Sequence, residues 1–282
     1  MVILEYLKAI LFGIVEGVTE WLPVSSTGHM ILLDEVVSLK VSPEFYEMFQ
    51  VVIQLGAILA VIVLFFGKLN PFSPKKDSIQ KKNTWNLWLK VIVAVLPSAV
   101  LGLLFDDWMD AHLYNYGVVA AALVVYGVAF LFVEKIRPAA KRIDSVETLG
   151  MRTALFIGAF QCLALIPGTS RSGATILGAL LLGVSRPAGA EFSFFLAIPT
   201  MLGASALKVA KYGLDIVQGE ALAPTGTELG ILLIGTVVSF IVSLLVIKGL
   251  MEYVRNHSFK VFGIYRIALG IAVLAYFAIT AL

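Results

Sequence analysis

The chain has 282 residues, 59% of them apolar and only 14% charged, with a mean hydropathy of +0.93, whereas soluble domains carry about 25% charged residues. This composition excludes an ordinary soluble domain and defines an integral membrane protein; a net charge of +2 is too small to point to nucleic acid. The single cysteine, Cys162, excludes an internal disulfide and reads as a packing residue.

In chain order, Met1–Tyr6 lacks the basic flank and small-residue cleavage site of a signal peptide, so these residues are expected to stay in the mature protein. The first polar concentration follows. Glu16, Thr19, Glu20, Ser25, Ser26, Thr27 and His29 crowd into one short stretch of an otherwise apolar region. Glu16 and Glu20, four apart, share a helix face. Pro23 is expected to end that helix, and Ser25, Ser26 and Thr27 to cap the next, which runs through His29 to Leu33.

Six runs are long enough to span a bilayer, which takes about 20 apolar residues. They are Phe45–Phe66, Trp85–Phe105, Gly117–Val133, Gly189–Ala210, Leu229–Leu250 and Val261–Leu282. Lys90 within the second and Arg266 near the start of the last read as snorkelling side chains. The loops at 67–90, 134–152 and 248–260 are rich in Lys and Arg and read as cytoplasmic, while 105–116 and 211–228 are acidic and read as external. Asp106, Asp107 and Asp110 are expected in a solvated outer loop rather than a metal cluster.

Two further apolar stretches, about 1–33 and 153–185, are broken in the middle by Pro and small polar residues. A full crossing by each would spoil the charge alternation, so both are expected to be re-entrant helical hairpins, the first entering from outside and the second from inside. Irregular backbone at that depth is tolerated only against protein or a wet cavity. At an offset of 145 residues Gly13 meets Gly158, Glu16 meets Gln161, Ser25 meets Ser170, Thr27 meets Ser172 and Gly28 meets Gly173. The expected fold is an all-α polytopic membrane protein, a single membrane domain of six transmembrane helices plus two re-entrant hairpins. Its halves, 1–133 and 153–282, form an inverted-topology internal repeat. That architecture belongs to transporters.

The second hairpin carries Pro167-Gly168-Thr169-Ser170-Arg171-Ser172-Gly173-Ala174-Thr175 ahead of an apolar helix. Free N–H groups, the positive end of a helix and a guanidinium suit phosphate, and the first hairpin offers Ser25-Ser26-Thr27-Gly28 in the same way. Two converging helix starts suit a diphosphate. Glu16 and Glu20 would repel it, which implies a divalent cation between them, Mg²⁺ or Ca²⁺ with oxygen ligands. Structural roles remain open: the carboxylates as hydrogen-bonded packing groups, Arg171 as their neutralising partner, and Gln50 and Gln54 as supporting groups on one helix face.

These paired stretches resemble the two signature motifs of the bacterial undecaprenyl-diphosphate phosphatase family associated with bacitracin resistance, and the resemblance extends over essentially the whole chain. It implies hydrolysis of undecaprenyl diphosphate to undecaprenyl phosphate and inorganic phosphate, recycling the cell-wall lipid carrier. It also implies a divalent cation, a multi-pass location in the bacterial plasma (inner) membrane with a site open to the outer face, and a possible homodimer. Glu16, Glu20, Ser26, Thr27, His29 and Arg171 fall on the family's functional positions, with Ser25, Ser170 and Ser172 as neighbouring phosphate contacts. Glu16 and Glu20 are the expected metal ligands. Ser26 is the candidate nucleophile, with His29 or Glu20 as base, and direct attack by water is the competing route. The alternative function is a polyprenyl-phosphate or anion transporter. The unequal halves argue against it, since Ser26 is matched by Arg171 and His29 by Ala174.

Overall fold

A computed structural model describes residues 2–136 and 143–280, and among these it is all-helical, with one isolated bridge between Ile143 and Val184. The first half comprises α1 (Val2–Thr19), α2 (Ser26–Val36), α3 (Pro43–Val52), α4 (Gln54–Leu64), the single turn α5 (Phe66–Leu69), α6 (Ser78–Leu113) and α7 (Tyr116–Ile136). The second comprises α8 (Met151–Gln161) with a 3₁₀ turn at Cys162–Leu165, then α9 (Arg171–Leu181), α10 (Arg186–Gln218), α11 (Gly226–Asn256) and α12 (Lys260–Thr280). Among the described residues six helical segments are long and apolar enough to cross a membrane: Pro43–Leu64, Ser78–Phe105, Tyr116–Ile136, Arg186–Gln218, Gly226–Asn256 and Lys260–Ile279. They coincide with the six expected runs. The helices α2, α8 and α9, at 11 residues each, extend only about 16 Å, well short of a hydrocarbon core of about 30 Å.

Several details depart from expectation. The first span is interrupted at Ile53, where an i→i+3 bond from Gly56 N to Ile53 O replaces regular α geometry. Gly56 lies so close to the Thr236 backbone of α11 that a Cβ would collide with it, so α4 is drawn onto α11 and parts from α3. The acidic stretch after Phe105 continues the helix to Leu113 instead of forming a loop; the side chains of Asp106, Asp107 and Asp110 lie outside the described residues, as does the basic segment 137–142. Lys90, expected to snorkel, reaches out of α6 to the loop before α8, where its ammonium donates to the carbonyl of Glu147 at 2.9 Å and fastens α6 to that segment.

Each short apolar helix packs along a long helix of the other half: α1 along α11, and α8 along α6, while α7 lies along α12. Glycine permits the close approach. Gly13 of α1 presses on the Gly235 carbonyl and Val238 of α11, and Gly158 of α8 on the Ala94 backbone of α6. The main core lies around the first part of α10, where Phe192, Phe194 and Phe195 are fully buried and Trp21 meets Phe194 edge-on at 5.1 Å.

Candidate active site

The segments entering α2 and α9 have the same local construction. Ser25 (φ 72°) and Ser170 (φ 71°) are the only non-glycine residues with positive φ among the described residues. Each is an N-cap whose hydroxyl accepts from the backbone N–H of a glycine three residues on, Gly28 at 3.3 Å and Gly173 at 3.1 Å. Left-handed backbone on a residue with a Cβ is strained and persists where its surroundings enforce it. Here the enforcing group is Arg266, fully buried on α12. Its guanidinium donates to Pro23 O (3.2 Å) in the first segment and to Gly168 O (2.8 Å) and Thr169 O (2.9 Å) in the second. The snorkelling expected of Arg266 is therefore wrong: backbone carbonyls, not the membrane surface, satisfy it. Ser172, also buried, ties the segments together again by contacts to Glu20 O (3.1 Å) and Leu22 O (3.2 Å).

This arrangement brings the reactive side chains together. Helix α1 ends at Thr19, earlier than Pro23 alone would require, although the Glu20 N–H still reaches Glu16 O at 3.0 Å. Ser26 Oγ donates to Glu20 Oε2 at 2.9 Å, and Arg171 Nη2 donates to Glu20 Oε1 at 3.2 Å. Arg171 is held by Ser193 O at 2.7 Å and lies over the Trp21 ring, 5.8 Å from its centroid. Glu16, 1% exposed, neighbours the Glu20 carboxylate, and its Oε1 has no partner. Two carboxylates face one guanidinium in a buried setting. Such a cluster calls for a further cation or a proton.

Glu20, Ser26, Thr27, Ser170 and Arg171 line the polar end of a cavity of about 630 Å³. Its remaining walls are largely apolar, supplied by α6 and α10 through residues such as Val95, Leu103, Met201 and Leu207. The other expected residues stand off the wall. Ser25 and Ser172 are buried and engaged with protein partners. His29 turns toward α12. Its Nδ1 donates to the Ser25 carbonyl, an acceptor only, at 2.7 Å, and its Nε2 meets the Tyr265 hydroxyl at 2.7 Å, with the two rings 5° from parallel.

The cavity also holds Gln54 at the α3–α4 break, read from the sequence as a supporting group, together with polar residues that sequence reasoning did not select: Gln161, Ser98 and Thr200. A signal for the last two was present. Both spans carry an internal proline followed at once by a hydroxyl, Pro97-Ser98 and Pro199-Thr200, and such pairs mark helices whose backbone groups are satisfied internally.

Fold and site define a polytopic membrane protein with a buried serine–carboxylate–guanidinium centre opening into an apolar cavity. Residues 9–272 match the family model described as bacitracin resistance protein BacA, and the chain belongs to that family. It is 56% identical over 282 residues to an undecaprenyl-diphosphatase of Limosilactobacillus fermentum, covering 99% of each chain. It is 58% identical over 275 residues to undecaprenyl-diphosphatase 1 of Clostridioides difficile, covering 98% of this chain and 97% of the relative. A Lactiplantibacillus plantarum undecaprenyl-diphosphatase is 53% identical over 280 residues, 98% and 99% of the two chains.

Proposed function

We propose that this chain is an integral-membrane hydrolase that removes the terminal phosphate of undecaprenyl diphosphate, releasing undecaprenyl phosphate and inorganic phosphate and returning the lipid carrier to cell-wall synthesis. One observation carries the reading: a serine hydroxyl donates to a carboxylate whose other oxygen is held by arginine, between two serine-capped helix starts and at the polar end of an otherwise apolar cavity.

Ser26 Oγ attacks the terminal phosphorus and passes its proton to Glu20 Oε2, while the bond to the bridging oxygen breaks and undecaprenyl phosphate departs. Water then cleaves the phosphoseryl bond, and Ser26 recovers its proton through Glu20. Glu20 serves as base in preference to His29, because Glu20 already accepts from Ser26 whereas both His29 nitrogens face Ser25 and Tyr265. Arg171 and the first-turn N–H groups of α2 and α9, which lack intrahelical partners, stabilise the charge on the transferring group. Thr27 and Ser170, on the cavity wall, contact the phosphates; Ser25 and Ser172 shape the segments beneath them.

The donor set suits a hard divalent cation, Mg²⁺ or Ca²⁺. Glu16 and Glu20 offer oxygen ligands only, and Glu16 Oε1 is unpartnered. No cluster of three His, Cys, Asp or Glu occurs among the described residues, so Glu16 and Glu20 would hold the ion together with the substrate's phosphates. When bound, the ion supplies charge neutralisation between carboxylates and diphosphate.

The same reading takes α1–α2 and α8–α9 as re-entrant hairpins entering from opposite sides, with 1–133 and 153–282 as inverted repeats of a single membrane domain. The exchanged packing of α1 on α11 and α8 on α6, and the twin caps Ser25 and Ser170, support it. Loop charge supports a site open to the outer face of the bacterial plasma membrane. A homodimer completes the reading, and cross-linking in native membranes tests it.

The deciding experiment is phosphate release from a prenyl diphosphate by detergent-purified protein, with and without chelator, beside Arg171→Ala. Release that both the chelator and the substitution abolish is the expected result. The exchanged packing also favours a second reading, a polyprenyl-phosphate or anion transporter. Lipid flux in vesicles by folded protein that releases no phosphate would establish that alternative.

A further inference from the structure

Gln161 ends α8 on the cavity wall, 2% exposed, at the position the internal offset pairs with Glu16. Its amide orientation is fixed by two hydroxyls. Ser98 donates its proton to Val95 O at 3.0 Å, and Thr200 donates its own to Leu196 O at 2.8 Å. Each hydroxyl therefore has only lone pairs to offer Gln161. The Nε2 group donates to both, at 2.7 Å to Ser98 and 3.2 Å to Thr200, so both amide protons are engaged. Oε1 remains, an acceptor with no partner. A buried unpaired acceptor is rare in native proteins and marks a place where water, an ion or a reacting group belongs. Ser98 on α6 and Thr200 on α10 come from the two long helices that wall the cavity, so the amide is braced from both sides.

A phosphate oxygen has no proton to give such an acceptor, which excludes the substrate's charged oxygens as its partner. We propose that Gln161 is a positioning residue for the hydrolytic water of the second step, accepting one of its hydrogens at Oε1. Glu20 returns to Ser26 Oγ the proton it took in the first step and accepts the water's other proton, while the water oxygen forms the new bond to phosphorus and the bond from phosphorus to Ser26 Oγ breaks. This assignment rests on the phosphatase reading above. Ser26 starts the reaction from the first half of the chain, and Gln161 completes it from the second.

The test is Gln161→Leu in the full-length, detergent-purified protein, with turnover of a prenyl diphosphate labelled in its terminal phosphate. The expected result is a kcat lowered about 10- to 100-fold at nearly unchanged KM. A burst of undecaprenyl phosphate close to one per enzyme should accompany it, with label accumulating on Ser26. The double variant Ser98→Ala/Thr200→Val, which releases the amide but keeps the oxygen, should show a weaker form of the same burst. Unchanged kcat in Gln161→Leu would overturn the assignment. So would a raised KM with no burst, as expected of a purely structural group, or restoration of turnover by excess Mg²⁺, as expected of a metal ligand. Failure of the underlying reading is distinguishable, because it appears as absence of phosphate release from the unsubstituted protein.

Discussion

The helix starts at α2 and α9 share a backbone and differ in chemistry. Both are capped by a serine with positive φ, both caps accept from a glycine three residues on, and Arg266 grips both segments by their carbonyls. At matching positions, however, Glu16 faces Gln161, Glu20 faces Leu165, Ser26 faces Arg171 and His29 faces Ala174. The common part is a cradle of backbone N–H groups, which binds anions whatever the side chains are. The unequal part divides labour: one half brings nucleophile and base, the other the positive charge. Substitutions in the unequal part should therefore act on turnover, and those in the common part chiefly on stability, with the phosphate contact of Ser170 the exception.

Ser26→Ala tests this most severely. Turnover should fall on the order of 10⁴-fold with the melting temperature in detergent nearly unchanged; near-normal turnover would eliminate the phosphoseryl route. On the opposite side, Arg171→Lys keeps the charge but loses the planar fork that reaches both Glu20 and Ser193 O. A loss of about 10²- to 10³-fold in kcat is expected from steady-state kinetics. If lysine suffices, Arg171 is only a counter-ion.

Arg266→Met removes the clamp shared by both segments and strands three buried carbonyls. A loss of about 3 kcal/mol is expected in thermal or denaturant unfolding, affecting both helix starts together. The smallest effect is expected of Ser25→Gly and Ser170→Gly. Each relieves the strain of a Cβ at positive φ, and glycine remains an acceptable N-cap, so each variant should gain or lose less than about 1 kcal/mol. Parallel melting shifts would support the equivalence of the two segments; opposite shifts would break it.

The sequence made the long apolar runs legible, because hydropathy over about 20 residues reflects a single dominant requirement. It also made the serine caps legible, since a polar cluster after a helix breaker has few other uses. It did not reveal the Ile53 break, which no proline or glycine marks at that residue and which follows from contact between Gly56 and α11. Arg266 was misjudged for a similar reason. Its partners are backbone carbonyls of Pro23, Gly168 and Thr169, and a carbonyl carries no residue identity from which a pairing can be read. Gln161 was visible only as the counterpart of Glu16; its orientation depends on Ser98 and Thr200, brought to it by helix packing. Residues that touch through side chains of contrasting charge, such as Glu20 and Arg171, were within reach of sequence. Those that act through the main chain were not.

The packing of α1 against α11 has a consequence for how the protein is made. All of the chain between Thr19 and Gly226 is synthesised before the partner of α1 exists. Until then its buried face, with Glu16 on it, lacks the helix that covers it. Helix α8 meets a partner already made, because α6 precedes it. Assembly is therefore ordered: the acidic half of the centre can close only after the arginine half has emerged, and a chain truncated before α11 lacks the helix that covers the face of α1.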